Sequence, residues 1–170
     1  MLFSSHFNFF MSYAVAIGIG ATLFMDLYSY TLKRVFQVHS LDYALVGRWV
    51  LYLDRQLRHD NIVQSPRMRH ETTVGWVCHY IIGVVFSAIF LFWGQLMGGS
   101  AEGFATSVMF GLITVAFPFF IMQPSFGFGI AASKTPSPYV ARLKSVTAHI
   151  MFGIGIYLSI LILTSLGFEI

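Results

Sequence analysis

The chain has 170 residues, 56% of them hydrophobic, 17% aromatic and only 10% charged, and its mean hydropathy is +0.73. That composition excludes an ordinary water-soluble domain and puts the chain in a bilayer. The net charge of +3 and pI near 9.2 come from basic residues placed beside an anionic membrane surface, and they argue for no nucleic-acid partner. A single cysteine, Cys78, rules out an internal disulfide and a cysteine metal cluster, and is read as a small core residue.

The opening stretch, MLFSSHFNFFMSYAVAIGIGA, has no basic segment ahead of its long apolar run, so it is read as a retained helix rather than a cleaved leader. Stretches without Asp, Glu, Lys or Arg run from Phe7 to Met25, Thr72 to Met97, Gly103 to Met122 and Ser145 to Phe168. Each approaches or exceeds the roughly 20 residues that cross a hydrocarbon core. The expected fold is all-α: one polytopic membrane domain, a four-transmembrane-helix bundle with a helical cytoplasmic insertion between helices 1 and 2. All ten Lys and Arg residues lie in the loops at 35–71 and 123–141 or at the helix ends beside them, and none lies in the Gly98 to Glu102 hairpin or either tail. The positive-inside rule then makes both loops cytoplasmic and both termini periplasmic.

The segment DLYSYTLKRVF holds no Gly or Pro and is expected to carry the first helix past the membrane surface. In HSLDYALVGRWVLYLDRQLRHD, Val46, Trp49, Val50, Leu53 and Leu57 recur at three- and four-residue spacing, with Ser40 as N-cap. This predicts a helix that lies in the headgroup plane or caps the cytoplasmic end of the bundle. Candidate residues on that face are Arg48, the Arg58-His59-Asp60 triplet as a cover over the bundle, and Lys134 as a partner for a lipid phosphate. QPSFGFGIAASKTPSP, Gln123 to Pro138, has too many Gly and Pro for a long helix and too many apolar residues for a solvated loop, so it is expected to pack back on the bundle. Pro118 is expected to kink the third helix.

Ionisable residues inside a span are functional candidates. Steps of four share a helix face, and reading in fours gives Ala14, Gly18, Thr22, Asp26; then Gly75, His79, Gly83, Ser87; then Ser145, His149, Gly153. Each ionisable group therefore lies on a stripe of small residues, where membrane helices approach closely. At about 1.5 Å per residue, Asp26, His79 and His149 fall at one depth in the cytoplasmic half, with Gln123 beside them. Such a layer can bind a small hydrophobic molecule, a lipid or a proton, because a carboxylate that fixes one imidazole nitrogen leaves the other free. The alternatives are a metal site of His79, His149 and Asp26, a haem held by the two histidines, or a purely structural network in an accessory subunit. No motif assigns a cofactor or a catalytic activity. The expected partners are membrane lipids, together with a second copy or another membrane protein.

The strings ATLFMDLYSYTLKR, SLDYALVGRW, CHYIIGVVFS, MQPSFGFGIAASKTPSP and ARLKSVTAHIMFGIGIYL together resemble a bacterial family of small integral membrane proteins, domain of unknown function 2938. The resemblance covers nearly the whole chain and places Asp26, Arg48, His79, Gln123 and His149 on positions of the family pattern. It implies a shared role for the layer and an inner-membrane location in a Gram-negative bacterium. It implies no activity.

Overall fold

The computed structural model describes residues 2–97 and 103–168, and every regular element among them is helical. The Gly98 to Glu102 hairpin expected between the second and third spans lies outside the described residues. Four helical segments are long and apolar enough to cross a membrane: Phe7–Phe36, Glu71–Leu96, Phe104–Ser125 and Pro138–Ser165.

Helix α1 (Leu2–Phe36) has no proline to interrupt it and runs through the DLYSYTLKRVF segment. It stops where Gln37 turns left-handed (φ 55°) and the Val38 N–H bonds back to Leu32 O. Helix α2 (Tyr43–Tyr52) is shorter than the apolar spacing suggests. Its N-cap is Asp42, whose carboxylate accepts from the Ala44 N–H at 2.9 Å, and not Ser40. Leu53 and Leu57 fall beyond its end and are exposed, so the repeat past Tyr52 does not mark a buried helix face.

Helix α3 (Glu71–Leu96) turns an apolar stripe outward, from Val77 through Ile81, Val85 and Ile89 to Phe92, all about half exposed. In water such a face is a liability, and in a bilayer it is the solvated one. Helix α4 (Phe104–Thr114) leads into a π-helical turn at Pro118–Met122, a single helical turn α5 (Gln123–Ser125), and a 3-10 turn at Ile130–Ala132. Pro118 has no N–H to give Thr114 O, and the Gln123 N–H bonds five residues back to Pro118 O. The proline thus widens the helix instead of simply bending it. Helix α6 (Pro138–Ser165) closes the fold, with Pro138 at its first position.

Helix α1 packs against α3 and α6, α4 packs against α6, and α2 lies along α3. The small-residue stripes are the contacts. A Cβ on Gly83 would strike Thr22 Oγ1, and one on Gly18 would strike the Val84 backbone, so α1 and α3 meet on the faces that carry Asp26 and His79. Gly111 and Gly153 let α4 and α6 touch in the same way. One apolar core, including Ile17, Phe90, Phe110 and Ile156, fills the bundle. A second, with Val46, Trp49, Ile62, Met122 and Phe126, joins α2 to the loop segments at one end. There the 123–138 segment folds back as expected: Phe126 is fully buried, and the His59 and Ile62 N–H groups bond to Ser125 O and Phe126 O at 2.8 and 3.0 Å. Gly127 (φ 84°) must be glycine, because a side chain there would collide with Asp60 O.

Candidate functional site

Asp26 of α1 and His79 of α3 meet directly. The His79 Nε2 lies 3.0 Å from Asp26 Oδ1. The same carboxylate accepts from Tyr80 Oη at 3.1 Å on Oδ2 and from Tyr43 Oη at 3.4 Å on Oδ1. Tyr43 opens α2 and stacks on the His79 ring, centroids 4.1 Å apart and planes 25° from parallel. Burial, with the Asp26 carboxylate beside it, drives the Tyr43 phenol well above its ordinary pKa, which keeps it a hydrogen-bond donor. Three donors on one carboxylate fix its position, and His79 is held at Nε2.

His149 of α6 is anchored separately, its Nδ1 lying 2.7 Å from Thr114 Oγ1 on α4. The Thr114 hydroxyl has one proton, and that oxygen is also placed to donate to Gly111 O. With that proton given to Gly111 O, the neutral His149 ring donates from Nδ1 to Thr114 and leaves Nε2 as an acceptor. Gln123, brought round by the π turn, donates from Nε2 to Ser145 Oγ at 3.3 Å, while its Oε1 is buried without a partner.

These groups surround a cavity of about 480 Å³ between α1, α3, α6 and the π turn, within the ~300–1,000 Å³ range of small-molecule sites. His79, His149 and Gln123 line it, and Asp26 stands behind His79. At one end Phe86, Phe117 and Phe152 form an aromatic wall, with Phe86 edge-on to the other two at 6.1 and 6.4 Å. Toward the other end are Ser29, His39, Ser40 and Lys144, the last donating to His39 O at 2.9 Å. Lys144, Ser145, Ala148, His149 and Phe152 lie along one face of α6, grading from cation to aromatic over about 12 Å of helix axis. Among the described residues no Asp or Glu lines the cavity.

The three ionisable groups do not form one hydrogen-bonded cluster: Asp26 backs His79 on one side of the cavity, and His149 lines it separately on Thr114. Among the described residues no group of three His, Cys, Asp or Glu side chains is spaced to hold a metal ion. The Arg58-His59-Asp60 triplet does not cover the layer. Arg58 and Asp60 are exposed, His59 is turned inward onto Ser65 Oγ at 2.9 Å, and none of the three lines the cavity. Lys134 is exposed.

Arg48 occupies a different buried site. Its Nε and Nη2 each lie 2.8 Å from a Glu71 carboxylate oxygen, and Nη1 donates to Ile62 O at 2.9 Å and Ser65 O at 3.1 Å. Glu71 also accepts the Met68 N–H at 2.9 Å. Glu71 escaped the sequence reading because it sits just outside the uncharged stretch that defined the span. Tyr80, Thr114 and Lys144 escaped as well. Tyr80 is adjacent to His79, and Thr114 is the residue whose carbonyl Pro118 leaves without its usual donor; both signals were present in the sequence.

Long apolar helices around a cavity define a small multi-helix membrane protein. The chain belongs to the family described as Protein of unknown function (DUF2938), whose model matches residues 15–163 and so takes in every residue of the cavity. No curated protein and no solved structure matches it.

Proposed function

We propose that this is a multi-pass protein of the bacterial inner membrane that binds a small hydrophobic molecule or lipid in the cavity, with His79 and His149 as its polar anchors. The observation that carries this reading is a cavity of about 480 Å³ reaching both histidines. A layer serving only to hold helices together has no need of that space. The ten basic residues on one side of the sequence map support an orientation with both termini periplasmic. Passing a ligand or proton through so small a bundle calls for a second copy or another membrane protein beside it.

Purification into lipid nanodiscs followed by native mass spectrometry tests the reading. The expected result is a co-purifying small molecule at one per chain, lost in Ala148→Trp, which fills the cavity from α6. Equal spectra for the two proteins, with no bound mass in either, would overturn it.

A further inference from the structure

Resting on that reading, we infer that the ligand is a hydroxylated apolar molecule of the phenol or hydroquinone class, whose O–H groups donate to the two cavity histidines. Each imidazole has one nitrogen committed to the protein, His79 Nε2 to Asp26 and His149 Nδ1 to Thr114. Neither His79 Nδ1 nor His149 Nε2 has a partner among the described residues, and neither is among the buried unpaired atoms, so both open to space. Both rings line one cavity.

The commitments determine what the free atoms offer. Asp26 is an acceptor already holding two phenolic donors, so the neutral His79 ring gives it the Nε2 proton and presents Nδ1 as a lone pair. Thr114, when it donates to Gly111 O, gives the same outcome at His149, with Nε2 as the lone pair. Gln123 also lines the cavity, with its unpaired Oε1 buried rather than open to that space. Two acceptors in one apolar cavity call for a ligand that brings donors, because an acceptor buried against an apolar ligand loses its water without replacement. The Phe86, Phe117 and Phe152 wall suits a flat ring, which stacks or meets it edge-on. An anionic amphiphile is less well matched, since it would bring further acceptors to the histidines and find, among the described residues of the lining, only Lys144 as a fixed cation.

The test is equilibrium binding of three probes to the full chain in nanodiscs, read by isothermal titration: a short-tailed alkyl hydroquinone, its dimethyl ether and dodecanoate. The inference expects the hydroquinone to bind at least about tenfold more tightly than the ether. It also expects the preference to fall to near unity in His149→Phe and His79→Phe, each retained only if its melting temperature stays within a few degrees of the parent. The ether comparison on the unaltered protein decides the matter even if both variants unfold. Equal binding of hydroquinone and ether, or tighter binding of dodecanoate, would overturn the hydroxyl-donor inference while leaving a ligand cavity in place. Failure of all three probes to bind would overturn the inference together with the reading beneath it.

Discussion

Arg48 with Glu71, a buried pair, and Asp26 with His79, a part-buried one, are both pairs of ionisable groups inside the fold, yet they end differently. Around Arg48 the accounting closes: guanidinium nitrogens meet the carboxylate and loop carbonyls, and Glu71 takes a backbone N–H as well. Around Asp26 the carboxylate is saturated, but the accounting stays open one atom further on, at His79 Nδ1, and across the cavity at His149 Nε2. A closed network fixes a fold, here by tying α2, the 61–66 loop and the start of α3 together. An open one beside a cavity is equipped to meet something else.

The contrast makes its largest prediction at the closed site. Arg48→Met leaves a carboxylate buried without its partner, which costs about 3–5 kcal/mol, and thermal unfolding in detergent should show a large drop in melting temperature. Adding Glu71→Leu should restore much of the loss, because two apolar side chains replace the pair without an orphaned charge. If the double variant is as unstable as the single one, Arg48 stabilises the fold by some route other than the ion pair.

Asp26→Ala should do less to stability, since membrane hydrogen bonds are worth about 1 kcal/mol each and one of the two freed tyrosines, Tyr43, lines the cavity. Its larger effect should be on ligand binding, because His79 loses the carboxylate that sets its tautomer. A variant that loses stability but binds probe normally would show the Asp26 pair to be as structural as the Arg48 one.

A smaller effect belongs to His59. Burial, and next the nearby Arg48 charge, lower its pKa below the ordinary 6.5. The unfolded chain therefore takes up a proton at higher pH than the folded one does. The stability this neutral histidine permits is complete above about pH 6.5 and declines as pH falls through that value toward the lower folded pKa. Replacing it in His59→Leu should flatten the decline in a melting-temperature profile between pH 7 and 5; an unchanged profile would place the responsible group elsewhere. Smallest of all, Lys134→Ala and Arg58→Ala change exposed side chains and should shift stability by no more than about 0.5 kcal/mol.

Much of this was legible in the residues. Uncharged stretches marked the spans, and the fourfold spacing of small residues put Asp26 and His79 on the faces where α1 and α3 meet, because both signals are local to one helix. The end of α2 was not legible, since a three- and four-residue repeat continues past Tyr52 into residues that do not bury. Nor was the separation of His149 from the Asp26 pair, which rests on a Thr114 hydroxyl supplied by another helix. Depth along a helix can be counted from sequence, whereas the side of a cavity a group stands on is set by how helices cross.

Whether the layer is open can be measured by thiol labelling. In a Cys78→Ser background, Ala148→Cys places a thiol on the cavity wall, and Ser87→Cys places one at a fully buried α3 position. The structure predicts that a small membrane-permeant methanethiosulfonate modifies the first rapidly and leaves the second untouched in folded protein, with prior hydroquinone slowing the first reaction. Protection of both thiols alike would mean that the polar layer is sealed, and that its histidines serve only to hold the helices together.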